Sequence, residues 1–128
     1  LSKVRMKFLH FAWDNPEDEV TPKQLEKYRS YFKQRDDRMD VYVLVNFNST
    51  LTEDLDRIYR LKEIGYDPYV MVYDKPHASS IIRKLQRWCN DKWVFRSVDI
   101  FSEYDKLTAA EVEHIIWGQY ADLKQKKL

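Results

Sequence analysis

Three short polar groups carry the chemistry open to this chain: Trp13-Asp14-Asn15, Asn46 with Asn48-Ser49-Thr50, and Tyr73-Asp74-Lys75. Each follows an apolar run, so each sits where a strand gives way to a loop. Their side chains donate and accept hydrogen bonds, which suits them to hold a polar ligand above an apolar sheet. Each also has a plainer use. Asp-Asn-Pro is a common turn device, Asn46 and Asn48 can bond loop backbone, and a strand-end tyrosine can simply pack. Asp74 and Lys75 also read as a solvated pair. No Gly-x-Ser-x-Gly elbow or Walker loop occurs, and glycine is used only twice. His10, His77 and His114 are scattered, and Glu111-x-x-His114 is half of a di-iron helix signature without its second copy, so no metal site is expected. Cys89 stands among apolar neighbours and reads as a packing residue.

The elements that must position these groups recur as strand then helix. Val41 to Val45 is an almost continuous apolar run, as expected of a strand covered on both faces. Thr50 and Glu53 form a capping box, and Leu55, Ile58 and Leu61 follow at helical spacing. Gly65 supplies a left-handed stop, and Pro68 sits where the next strand, Tyr-Val-Met-Val-Tyr, can start. Upstream, Met6 to Ala12 is a first strand. Thr21-Pro22-Lys23-Gln24 is a helix start with Thr21 as cap, and Leu25, Tyr28 and Phe32 are its apolar face. Downstream, Ser79 or Ser80 opens a helix with Ile81, Ile82, Leu85, Trp88 and Cys89 on one side. Trp93 to Val98 reads as a short edge strand or an extended loop. Thr108 and Glu111 cap a last helix with Val112, Ile115, Ile116 and Leu123. The fold class is α/β: a parallel β-α-β-α-β-α arrangement with an appended C-terminal helix over residues 105–128, because right-handed crossovers set the three strands parallel and adjacent. In such sheets ligands gather at the carboxyl ends of the strands, where the three polar groups lie.

With 128 residues, 44% hydrophobic and 15% aromatic, the chain can bury one core, so one domain is expected. A net charge of +1 does not call for nucleic acid or an anionic membrane as partner. No apolar run approaches the roughly 20 residues of a membrane span, and no signal peptide is read. A single cysteine excludes an internal disulfide and fits a reducing, cytoplasmic setting. The chain starts at Leu1 without methionine, which suggests an excerpt from something longer.

The run Val41-Tyr-Val-Leu-Val-Asn-Phe-Asn-Ser-Thr-Leu-Thr-Glu-Asp-Leu-Asp-Arg-Ile58, closed by Leu61-Lys-Glu-Ile-Gly-Tyr-Asp-Pro-Tyr-Val-Met-Val-Tyr-Asp-Lys-Pro76, resembles the fifth strand, helix and sixth strand of radical S-adenosylmethionine (SAM) proteins. His10-Phe-Ala-Trp-Asp-Asn15 is similar to the end of their fourth strand, and Leu85 to Arg96 to a tail found in some bacterial members. The resemblance covers roughly residues 6–104 and implies the C-terminal half of a partial TIM barrel. It places Asp14 and Asn15 near the SAM ribose, Asn46 and Asn48 near the adenine or the substrate, and Tyr73 at the adenine. Trp13, Asp74 and Lys75 would face the substrate. The family's Cys-x-x-x-Cys-x-x-Cys ligands to a [4Fe-4S] cluster are absent, and one thiolate cannot hold that cluster. Asn46-Phe47-Asn48 also stands where a Gly-x-Pro type sequence is common. The implied role is therefore to complete the SAM and substrate pocket, with cluster and SAM belonging to the intact parent, the missing N-terminal barrel half as partner, and no turnover in isolation.

Two other functions compete. Arg83, Lys84, Arg87, Lys92 and Arg96 interleave with Trp88, Trp93 and Phe95, the mixture that binds single-stranded nucleic acid; balanced charge favours the alternative that the aromatics are core and the cations a wet helix face. A stand-alone interaction module is the third reading, since the open edges and bare inner face of a half barrel favour a homodimer.

Overall fold

A computed structural model describes residues 11–30 and 40–116. Three strands, β1 (Phe11–Ala12), β2 (Asp40–Val45) and β3 (Asp67–Val72), form one parallel sheet in the order β1-β2-β3. Helix α1 (Val20–Arg29) follows β1 and α2 (Leu51–Ile64) joins β2 to β3. Beyond β3 come a 3-10 turn (Lys75–His77), α3 (Ser80–Asn90), α4 (Lys92–Ser97), a second 3-10 turn (Phe101–Glu103) and helical residues 109–116, here α5. The expected parallel strand-helix alternation is therefore present. The part of the first strand before Phe11, Phe32 of the first helix face, and the last helix beyond residue 116 lie outside the described residues.

Strand periodicity decides which face is core. Val41, Val43 and Val45 are fully buried, and so is Val70, on the side packed by Leu55, Ile58 and Leu61 of α2 and by Ile82 and Leu85 of α3. Each such side chain contributes roughly 1.5–3 kcal/mol on burial. The alternate positions tell the opposite story. Tyr42 pairs with Tyr69 and Leu44 with Met71 in register, and Tyr69 and Met71 are 46% and 39% exposed. The expectation of a sheet covered on both faces is thus corrected: the described helices cover one face. The apolar run Val41 to Val45 hid this because Tyr42 and Leu44 are apolar enough to pass for core residues.

The outer edge of β3 is closed by side chains. Tyr73 donates its amide to Val45 O at 3.1 Å, so by alternation Pro68, Val70 and Val72 direct their backbone away from β2. Pro68 has no N–H to lose there. Asn90 occupies Val70 from both sides, Oδ1 accepting from its amide at 2.7 Å and Nδ2 donating to its carbonyl at 3.1 Å, while Gln86 Nε2 donates to the same carbonyl. Two α3 amides therefore blunt an edge that would otherwise recruit another strand.

Helix ends follow local chemistry, with two corrections. The Thr50–Glu53 capping box is formed in both directions, and Gly65 takes φ 111° at the end of α2. A Cβ there would also lie 2.8 Å from Arg29 Nε. The first helix, however, starts at Val20, and Asp18 rather than Thr21 serves as its cap: its carboxylate accepts from the amides of Val20 (2.9 Å) and Thr21 (3.1 Å) and from the Thr21 hydroxyl. Trp93 to Val98 is neither strand nor loop. Asp91 caps α4 by accepting from the amides of Trp93 and Val94, Phe95 enters the core, and Lys62 of α2 donates to Phe95 O and, at 3.3 Å, to Val98 O. Tertiary contacts override the β preference of Trp93-Val94-Phe95.

Thr108 and Glu111 form the expected capping box of α5, and Glu111 Oε2 also accepts from Lys84 Nζ of α3 at 2.8 Å. The lysine bond, then the Thr108 amide, holds the Glu111 carboxyl down at about 2, against an ordinary value of 4.5. A lowered folded pKa stabilises above the unfolded value and loses that contribution as pH falls through the folded one. Acidification from pH 4.5 to 2 should therefore loosen α5 from α3. Glu111→Gln is expected to cost about 1 kcal/mol at neutral pH and to flatten this acid limb, as read by urea melts across that range.

Candidate functional site

The three polar groups converge at the carboxyl end of the sheet, and a buried ion pair builds their support. Asp54, in the first turn of α2, and Arg57, one turn on, are both buried with Arg57 Nη2 2.6 Å from Asp54 Oδ1. Arg57 then reaches past the helix: Nη1 donates to Trp13 O at 2.7 Å and Nη2 to Leu44 O at 3.0 Å. Asp54 reaches the other way, accepting from Asn46 N at 3.2 Å and from the Ser49 hydroxyl at 2.6 Å. One pair thus ties the ends of β1 and β2 and the following loop to α2. Burial pushes the Asp54 carboxyl up, opposed by Ser49, the Asn46 amide and Arg57.

Above this support, three non-glycine residues take left-handed backbone: Asn46 (φ 65°), Asn48 (φ 50°) and Asp74 (φ 50°). Asn and Asp tolerate that region best among non-glycine residues, because their short side chains bond locally. Asn46 Nδ2 approaches Tyr73 O at 3.4 Å, and the Phe47 and Tyr73 rings meet edge to face at 4.8 Å. The β2 and β3 groups therefore form one exposed rim with an aromatic pair at its centre.

Not every residue singled out in the sequence is free to act there. Asp14 Oδ1 accepts from Leu44 N at 2.9 Å, extending the β1–β2 ladder one step past β1. Asn15 Oδ1 accepts from Glu17 N at 2.9 Å, the turn use of the Asp-Asn-Pro sequence. Trp13 is 1% exposed, with Arg60 over its ring at 5.3 Å and its indole N–H donated to Asn15 O, so it underlies the rim rather than lining it. Asn48 and Lys75 are exposed, and Asp74 Oδ1 pairs with His77 Nδ1 at 2.9 Å. Cys89 is buried under α3, where burial pushes its thiol pKa well up, so it packs as expected.

Sequence reasoning missed Asp54, Arg57 and Phe47. A signal for the pair existed: positions 54, 57, 58 and 61 share one helical face, and two of them are charged within an otherwise apolar stripe. Among the described residues no cluster of three or more His, Cys, Asp or Glu could hold a metal ion, and no helix is long and apolar enough to cross a membrane. No family model, no curated protein and no solved structure matches the chain.

Proposed function

We propose that this chain is the C-terminal sector of a radical SAM barrel, closing the SAM and substrate pocket for an N-terminal half that carries the cluster. One observation carries the reading: among the described residues, three parallel strands are packed by helices on one face and uncovered on the other, with a polar rim at their carboxyl ends. A sector of an α/β barrel has this form, since its outer face meets helices and its inner face meets the rest of the barrel. The half-barrel curvature, the cytoplasmic setting and the partner half belong to the same proposal.

The residues present suit SAM and not the cluster. Cys89 lies on the helix side of the sheet with its thiol protonated, so cluster ligation falls to the partner half. At the rim, Asp14 has its second carboxylate oxygen to accept a ribose hydroxyl. Asn46 and Asn48 offer amides to an adenine edge, and the Phe47–Tyr73 pair offers an apolar ring surface. When bound, SAM would supply the radical chemistry, its reductive cleavage driven by an electron from the cluster of the partner half. Asp74 and Lys75, one and two residues past Tyr73, would meet that substrate.

The test is the reading frame upstream of Leu1. A Cys-x-x-x-Cys-x-x-Cys loop about 100 residues earlier, the length of three βα units, is the expected result, with 5'-deoxyadenosine formed only when both halves are present. A frame without that loop, or turnover by residues 1–128 alone, overturns the proposal. The second reading, a module that dimerises through the sheet face left uncovered by the described residues, is favoured by exposed Phe47, Tyr69, Met71 and Tyr73. It predicts concentration-dependent dimers from a frame that lacks the cysteine loop.

A further inference from the structure

Several cations of this fold lie against carboxylates. Arg57 pairs with Asp54, Lys62 lies near Asp99, Lys84 pairs with Glu111, Lys92 with Asp40 and Arg96 with Asp67. One pocket instead gathers cations with no carboxylate in its lining. Beside the outer edge of β3, between the Lys75–His77 turn and α3, a cavity of about 310 Å³ is lined by Lys75, Pro76, Arg83, Gln86 and Arg87, three cations and no carboxylate. Arg83 and Arg87 stand at i and i+4 on α3, where like charges repel by roughly 0.2–0.5 kcal/mol. Arg83 Nη2 donates to Lys75 O at 3.2 Å and Pro76 O at 3.0 Å, which locks the turn against the helix and fixes its guanidinium charge at the pocket wall. The nearest acid of the turn, Asp74, is already engaged by His77.

From this we infer that the pocket binds a phosphate group. A tetrahedral dianion accepts from several donors at once, so one ligand can bridge Lys75 and Arg87 within the positive field that Arg83 adds to the pocket wall. A cavity of this size admits a phosphate with part of the molecule that bears it. The inference stands apart from the barrel reading, because every group it uses lies within this chain. Lys75 also follows Asp74 directly, so a phosphate held here would leave the remainder of its molecule beside the rim.

Residues 1–128 are titrated with inorganic phosphate and with glycerol phosphate at constant ionic strength, following arginine Nε–H and backbone amide resonances. Saturable shifts confined to Lys75, Arg83 and Arg87 are expected. The exposed double variant Lys75→Gln/Arg87→Gln should keep its thermal midpoint and bind at least about tenfold more weakly, the loss of one charge-assisted bond or more. Lys92→Gln, which removes a cation elsewhere, should bind as the parent does. Phosphate binding that survives the double variant, or that falls equally in Lys92→Gln, overturns the site. So does a result in which neither small phosphate binds while an oligothymidylate does, which would assign the cations to a nucleic-acid surface instead.

Discussion

Arg57→Met is expected to destabilise the fold by about 3–5 kcal/mol, the cost of leaving one member of a buried ion pair alone. The substitution strands the Asp54 carboxylate and orphans Trp13 O and Leu44 O, the two carbonyls that Arg57 serves. Asp54→Asn should cost less, because Arg57 keeps both carbonyls and an amide oxygen can still accept from Asn46 N or the Ser49 hydroxyl. The double variant Asp54→Leu/Arg57→Met should lose less than the sum of Arg57→Met and Asp54→Leu, since no buried charge remains. It should still fall below the parent, because four polar groups lose partners at roughly 1 kcal/mol or more each. Urea denaturation gives the energies, and amide exchange localises them: Asn46 should exchange faster in every variant. A variant Arg57→Met as stable as the parent would mean that the rim is held by its turns alone.

That pair also marks the limit of what sequence can say here. The Thr50–Glu53 and Thr108–Glu111 boxes and the Gly65 stop were legible because each is a bargain between residues three or four positions apart. The strand order followed from the right-handed crossover, which needs no side-chain detail. What escaped was long-range. Arg57 looks like a solvated helix residue until Trp13 O, 44 positions upstream, comes within 2.7 Å. Trp93-Val94-Phe95 looks extended until Asp91 caps it and Lys62 holds the end of its helix. At the rim, the sequence located the polar groups but could not say which were spent. Asn15 closes a turn and Trp13 is core, while Asn46, Asn48 and Asp74 are held in left-handed backbone.

Trp88→Ala should cost about 3–5 kcal/mol, the usual range for a large aromatic removed from a core. Its ring stacks on Phe101 (5.3 Å, 22°), tilts against Phe95 at 4.9 Å and meets Tyr59 edge-on at 6.1 Å. Its indole N–H donates to Val98 O at 3.1 Å, and Lys62 Nζ lies 5.6 Å from its ring. Truncation therefore opens a cavity shared by α2, α3, α4 and the second 3-10 turn. Trp93→Ala, by contrast, should change stability by less than about 0.5 kcal/mol, because Trp93 is 83% exposed. The contrast bears on function as well as folding. A stacking platform for single-stranded nucleic acid needs accessible rings beside uncommitted cations. Of the three aromatics in that stretch, Trp88 and Phe95 are buried, and Lys84, Lys92 and Arg96 each pair with a carboxylate of the fold. Thermal melts of the two alanine variants read the difference directly. Equal small losses would place Trp88 at the surface and restore the platform; a large loss for Trp88 alone leaves Trp93 as an isolated exposed ring, too little surface to stack a strand.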